Sequence, residues 1–308
     1  SPERGAQEAL RGGDRRVPKA VAPEAAAGPY PTFVAAPDGQ TVPIVQAGSN
    51  GLYLGRLDLA LTDTLPIAPG RAEGGPILLD ASVPEDPATK ARIAELAKPL
   101  EALRSSVVAE AAADIDGARE TCRTGECAMG NLVADAMLDR SKAQGATIAI
   151  ANGGGLRASI DTGAITRGEV LTVLPFRNTL STFTLNGAGV VAALENGVSK
   201  VEEGSGRFPQ VAGIEVEWSP GGEPGRNRIK AVRVRQGEAF VPIDPAADYI
   251  VVSNNFLRGG GDGYAVFAEK ARNAYDYGPG LDAVLTDYLA GKAEAYEPFT
   301  DGRIKRLE

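Results

Sequence analysis

Four short strings in this 308-residue chain carry the residue types that hold a small polar ligand. They are Asn152-Gly153-Gly154-Gly155-Leu156-Arg157, Leu174-Pro175-Phe176, Gly206-Arg207-Phe208-Pro209-Gln210 and Asn255-Phe256-Leu257-Arg258-Gly259-Gly260-Gly261-Asp262-Gly263. A strand that ends in three glycines lets a ligand lie against the main chain, because no Cβ intervenes. Amides exposed there meet anionic or carbonyl groups, and Arg157 just beyond can pair with phosphate or ribose oxygens. Asp262, alone in a glycine-dense loop, can accept hydrogen bonds from both hydroxyls of a ribose. Phe176 and Phe256 could take a planar base between them by offset stacking. Each string also has a plainer reading. The triple glycine can be a tight turn, the Asp262 loop a glycine-rich hairpin, and Phe176 a core side chain.

The chain contains no histidine. That removes Ser-His-Asp and Cys-His nucleophile systems, His-Asp dyads and His-ligated zinc. The strings therefore read first as a binding surface and only second as a catalyst. Glu126 and Asp135 raise the question of general acid/base or metal chemistry. Glu126 reads better as a charge near a helix N-terminus, and Asp135 as a structural residue within that helix. The two cysteines, Cys122 and Cys127, offer too few ligands for a metal and have the wrong spacing for a redox Cys-x-x-Cys pair. A local disulfide is the favoured reading and implies an oxidising compartment. A pair of buried thiols is the alternative.

The elements that must carry these residues alternate in type. Val107–Glu110 reads as a strand and Met129–Ser141 as a helix with Leu132, Val133, Ala136 and Met137 on one face. Thr147–Ala151 is a short apolar strand that runs into the triple glycine. Thr166–Leu174 reads as a one-turn helix, Thr182–Leu185 as a strand and Gly189–Val198 as a helix. Ile214–Trp218 and Lys230–Arg235 alternate cleanly, as antiparallel strands with one wet face do. Tyr249–Ser253 is a buried strand leading to Phe256, and Leu281–Leu289 is the last helix. Ahead of all this, residues 1–30 read as an irregular arm and residues 31–61 as two or three strands with Asp-Gly and Asn-Gly turns. Residues 62–85 are loop-like. A helix over about 87–105, capped by Asp86, reads as a linker, and Pro99 inside it predicts a kink. The class is α+β.

Apolar residues make up 43% of the chain and charged residues 23%, as in ordinary globular proteins, and the net charge is -8. That balance argues against nucleic acid or an anionic membrane as partner. No apolar run approaches a membrane span, and no signal peptide is visible, so the chain reads as mature or cytosolic.

The string Cys122-Arg123-Thr124-Gly125-Glu126-Cys127-Ala128-Met129-Gly130-Asn131-Leu132 resembles the entry to the C-terminal domain of the 5'-nucleotidase and UDP-sugar hydrolase family. The triple-glycine, Leu-Pro-Phe, Gly-Arg-Phe-Pro-Gln-Val and Gly-Gly-Asp-Gly strings follow in family order, over about residues 106–307. The resemblance implies a four-layer α/β/β/α substrate-binding domain at 106–308, preceded by the linker region 62–105. It implies that Phe176 and Phe256 stack on the base and that Asp262 holds the ribose hydroxyls. Asn152 and Gly154 would contact the base side, and Arg123 and Arg157 the ribose–phosphate region. Some relatives carry a disulfide at the Cys122/Cys127 spacing, in keeping with a periplasmic or extracellular setting. Gly125 stands where many relatives have a larger or basic residue, so one phosphate contact would be missing.

Residues 28–61 resemble only the final strands of the family's metallophosphoesterase domain. That domain holds two divalent metals through Asp, His and Asn. Gly12-Gly13-Asp14-Arg15-Arg16 stands near the place of a Gly-Gly-His-x-His ligand motif, without its histidines. The resemblance thus implies nucleotide binding with no metal or catalytic centre in this chain. The rival is a structural or interaction subunit that kept the fold. A further possibility is a metallophosphatase half supplied by another chain, docking through residues 1–61.

Overall fold

The computed structural model describes residues 28–38, 40–48, 51–59 and 72–308. It divides into two units, residues 1–97 and residues 98–308. The arm expected over 1–30 falls almost wholly outside the described residues.

In the first unit, β1 (Thr32–Ala35) and β2 (Thr41–Ile44) form an antiparallel hairpin with Thr32 opposite Ile44. The strand expected next is β3 (Tyr53–Leu59), but its partner is not the hairpin. It pairs with β4 (Ala72–Leu78), inside the segment whose Pro and Gly content reads as loop. Gly74 explains the exception: with φ +151°, a Cβ there would lie 2.0 Å from the Arg56 carbonyl oxygen, so only glycine lets the two strands close. Helix α1 (Pro87–Arg104) begins as expected, with the Asp86 carboxylate accepting the Thr89 N–H at 2.7 Å. It continues through Pro99 to Arg104.

The second unit opens with β5 (Val107–Ala111), the short helix α2 (Arg119–Cys122) and the long helix α3 (Ala128–Ser141). Strand β6 (Ile148–Asn152) then enters a five-stranded sheet with a strand on either side of it, every residue buried. Next come β7 (Gly163–Thr166), which pairs with β5, and α4 (Arg167–Val173), two turns rather than one. A capping box fixes the start of α4, in which Thr166 and Glu169 exchange side-chain and backbone hydrogen bonds. β8 (Leu180–Asn186), α5 (Gly187–Val198), β9 (Pro209–Ala212), β10 (Ile214–Trp218), β11 (Ile229–Gln236) and β12 (Ala239–Pro242) follow. The chain closes with β13 (Asp248–Asn254), α6 (Asn255–Arg258), α7 (Ala265–Lys270), β14 (Arg272–Tyr275), α8 (Leu281–Ala290) and β15 (Ile304–Arg306).

The five-stranded sheet has the order β14-β8-β13-β6-β9, and a second, four-stranded sheet the order β12-β11-β10-β15. The period-2 alternation of β6 sorts the two cores. Ala149 and Ala151 face α3 and α8, where they meet a cluster containing Leu132, Val133, Met137, Val284 and Leu285. Ile148 and Ile150 face the other way, into a cluster with Val190 and Leu194 of α5 and Val216, Trp218 and Val232 of the second sheet. Helices, sheet, sheet and helix thus supply the components of the α/β/β/α class expected from the sequence. The wet face expected on β10 and β11 is there as well, where Arg233 bridges Glu215 at 2.8 Å and Glu217 at 3.0 Å.

Glu126 and Asp135 are both committed to holding the C-terminal segment. Glu126 accepts from the Asn131 side chain at 2.7 Å and from the Asp301 N–H at 2.8 Å. Asp135 takes Arg303 at 2.6 Å, and the same guanidinium meets Asp301 at 2.8 Å. Partial burial opposes ionisation of Asp301, but its hydrogen bond to Arg303 and the charge of Arg303 outweigh it and hold the carboxyl below its ordinary value. A depressed folded-state value means that the tie is complete above about pH 4, where the unfolded carboxyl ionises, and is lost as pH falls through the folded-state value. Asp301→Asn should therefore lower the urea midpoint at pH 7, and the gap to the parent should close as pH drops below about 4. A gap that stays constant down to acid pH would show that the charge contributes nothing.

Candidate functional site

Strands β6 and β13 are parallel neighbours, with Val251 opposite Ile148 and Val252 opposite Ala149. They therefore end side by side, and each ends in an asparagine. The Asn254 amide donates to the Asn152 side-chain oxygen at 3.1 Å, and the Asn152 amide donates to the Asp262 carboxylate at 2.8 Å. Asn254 also caps α6 by accepting the Leu257 N–H at 2.8 Å. Both asparagines are buried, whereas Asp262 is half-buried. A buried amide must find partners, and these two find them in each other and in the carboxylate. The effect is to fix Asp262 at the mouth of the sheet's carboxyl end, where open α/β sheets hold ligands.

Beside these residues lies a narrow cleft lined by Asn152, Gly155, Leu156, Phe176, Asn178 and Asn254 among others. Phe176 is 54% exposed and Phe256 45%. Phe176 is therefore not the core residue that the plainer reading would make it. Phe256 does not line the cleft. Its ring packs against Gly261, where an added Cβ would lie 2.6 Å from ring carbons, and Asp262 follows directly. The Arg157 guanidinium lies 5.3 Å from the Phe176 ring centroid, in cation–π contact, and donates to the Gly154 carbonyl at 3.4 Å.

The triple glycine behaves differently from the expectation of exposed amides. The Gly153 N–H donates to the Phe208 carbonyl at 2.8 Å and the Gly154 N–H to the Gly206 carbonyl at 2.7 Å. These donors are used within the protein. What the glycines supply is close approach: a Cβ on Gly153 would sit 2.0 Å from the Cys122 carbonyl oxygen, and one on Gly154 2.7 Å from the Gly206 Cα. Cys122 and Cys127 are joined by a disulfide, and the buried Gln210 side chain fastens the loop between them. Gln210 donates to the carbonyls of Cys122 at 3.0 Å and Gly125 at 2.8 Å and accepts the Cys127 N–H at 3.3 Å. Arg123, on that loop, is buried and donates to the Gly204 carbonyl at 3.4 Å.

The segment from Gly204 to Gln210 is thus the hub of the site, and its residues were not assigned roles by their types alone. Arg207 donates to the side chains of Asn196 and Ser199, each at 3.1 Å, and its carbonyl accepts the Tyr264 hydroxyl at 2.8 Å. Burial, reinforced by the charge of Asp262, pushes the Tyr264 phenol up, so it stays protonated and able to donate. Asn196 and Asn254 were missed because an asparagine on a helix or at a strand end carries no signal until its partner is known.

Residues 106–269 match the 5'-nucleotidase C-terminal domain family. The chain belongs to that family. Over 266 residues it is 39% identical to the trifunctional nucleotide phosphoesterase of Bacillus subtilis, a match covering 86% of this chain and 18% of that protein. It is 34% identical to human 5'-nucleotidase, covering 92% of this chain and 51% of the human one. The 5'-nucleotidase precursor of Thermus thermophilus superposes with a TM-score of 0.68 at 38% identity, covering 94% of this chain and 57% of that one. The chain therefore spans about half or less of the length of these relatives.

In this family member, the backbone contact at Gly154 is open to a direct test. Gly154→Ala should destabilise the domain by about 1–3 kcal/mol, the usual cost of forcing a methyl into a filled site. Thermal unfolding would measure it. An unchanged midpoint would mean that the two segments can part without loss.

Proposed function

We propose that residues 106–308 bind the nucleoside part of a nucleotide, as the substrate-holding domain of a 5'-nucleotidase-type phosphoester hydrolase. Asp262 carries this reading. It is a partly exposed carboxylate held at 2.8 Å by a buried asparagine, directly after Gly261, on which the half-exposed Phe256 ring rests. An apolar ring left in water beside a fixed acceptor is an arrangement that a base and its sugar would complete. In this reading Phe176 and Phe256 take the base and Asp262 the ribose hydroxyls. Asn152 and Gly154 lie on the base side, and Arg123 and Arg157 toward the ribose and phosphate.

The hydrolytic step is not assigned to these residues. The family resemblance implies two divalent metals in full-length relatives, but this chain has no histidine. Among the described residues no group of three or more His, Cys, Asp or Glu side chains is arranged to hold a metal ion. The domain's part in catalysis is to hold and orient the substrate. Residues 31–61 would be the closing strands of a metallophosphoesterase-like domain and the place where a catalytic half meets this chain. The disulfide supports a periplasmic or extracellular setting. No helix among the described residues is long and apolar enough to cross a membrane.

Calorimetric titration of the chain with adenosine and AMP tests the reading. Saturable binding is expected, weakened about tenfold or more by Phe256→Ala, the scale of one base–aromatic stack. No heat with either ligand, or full affinity in the variant, would remove it.

A further inference from the structure

Asp262 sits in an uncommon place for a side-chain-bearing residue. Its φ is +53°, between Gly260 at +90° and Gly263 at +81°. Asp tolerates the left-handed region better than most residues, but something must hold it there. Asn152 fixes only the carboxylate. The main chain is held from another element: the Asn196 amide, on α5, donates to the Asp262 carbonyl at 3.2 Å.

The orientation of that amide is settled by its other neighbour. A guanidinium has donors only, so Arg207 must face the Asn196 oxygen, which it meets at 3.1 Å. The amide nitrogen is then the end left for Asp262. Arg207 is itself steadied by Ser199. The loop comes this near because position 263 is glycine. A Cβ there would lie 2.8 Å from the Asn196 oxygen and 3.3 Å from an Arg207 nitrogen.

We infer that Asn196, aligned by Arg207, is a positioning residue for sugar recognition, and that the pair sets how strongly this site prefers a ribose over a sugar lacking its hydroxyls. The inference rests on the nucleoside-binding reading above. Asn196 meets the Asp262 carbonyl and Arg207, and of these two residues only Asp262 is given a ligand contact in that reading. Its effect therefore falls on the hydroxyl contacts and leaves base stacking unchanged.

Asn196→Asp is the cleanest probe. It is isosteric and still accepts from Arg207, but its carboxylate cannot donate to the Asp262 carbonyl and repels it. The parent and this variant would be titrated with adenosine and with 2',3'-dideoxyadenosine. The parent should bind adenosine the more tightly. The variant should lose about tenfold of that preference, the scale of one hydrogen bond, while its affinity for the dideoxy ligand changes by less than about twofold. Equal losses for both ligands would mean a general structural role and overturn the inference, as would an unchanged preference. A parent that binds both ligands equally would overturn it too, yet leave nucleoside binding intact. A parent that binds neither would sink the underlying reading along with it. Gly263→Ala gives an independent arm. By pressing the loop away from Asn196 it should erode the same preference, and an unaltered preference in this variant would count against the inference.

Discussion

Two bare backbones meet at Gly154 and Gly206, closer than any side chain would allow. Most of the site's geometry follows from this contact. It brings the end of β6 against the segment that leads into β9, and the paired amide–carbonyl bonds at Gly153 and Gly154 lock the two together. Once they are locked, the carbonyls of Gly204, Gly206 and Arg207 point to fixed places. Arg123, Gly154 and Tyr264 each find one of them. A glycine-rich strand end is often taken as a cradle of free donors. Here the Gly153 and Gly154 donors are already used, and these glycines pin two segments of backbone together.

Those side chains are mostly neutral amides. Asn152, Asn254, Asn196 and Gln210 make long-range hydrogen bonds, and each uses both ends of its amide. A network of this kind has a physical advantage over charged groups in a buried place, because no net charge needs to be stripped of water. The single carboxylate, Asp262, is held at the boundary where solvent still reaches it. The Phe256 ring likewise has a neighbour to rest on, Gly261.

Much of the larger unit was legible in the sequence. The apolar strand before the triple glycine, the helix from Met129 and the alternating strands at Ile214 and Lys230 all lie where their periodicity puts them. What escaped notice had a physical reason in each case. β4 carries Gly74, Gly75 and Pro76, residues that argue for loop when only local preference is weighed, and its formation depends on a fit to Arg56 that no local rule contains. β14 and β15 are short and gain their pairing from neighbours distant in the chain. Phe176, Phe256 and Asp262 stood out as candidates by type and setting. The supporting asparagines did not, since their meaning lies in which atom each one meets.

The hydrogen bond from Asn152 to Asp262 joins residues 110 apart in sequence. Those from Asn254 to Asn152 and from Gln210 to Cys122 span 102 and 88. Each of these contacts must offset the loop entropy of closing a long stretch of chain. The pocket is for that reason a product of the whole domain and of no fragment within it. Any cut between the triple glycine and the Asp262 loop separates halves that each hold only part of the site. A ligand that bound at this place would draw the folding equilibrium of the whole domain toward the native state.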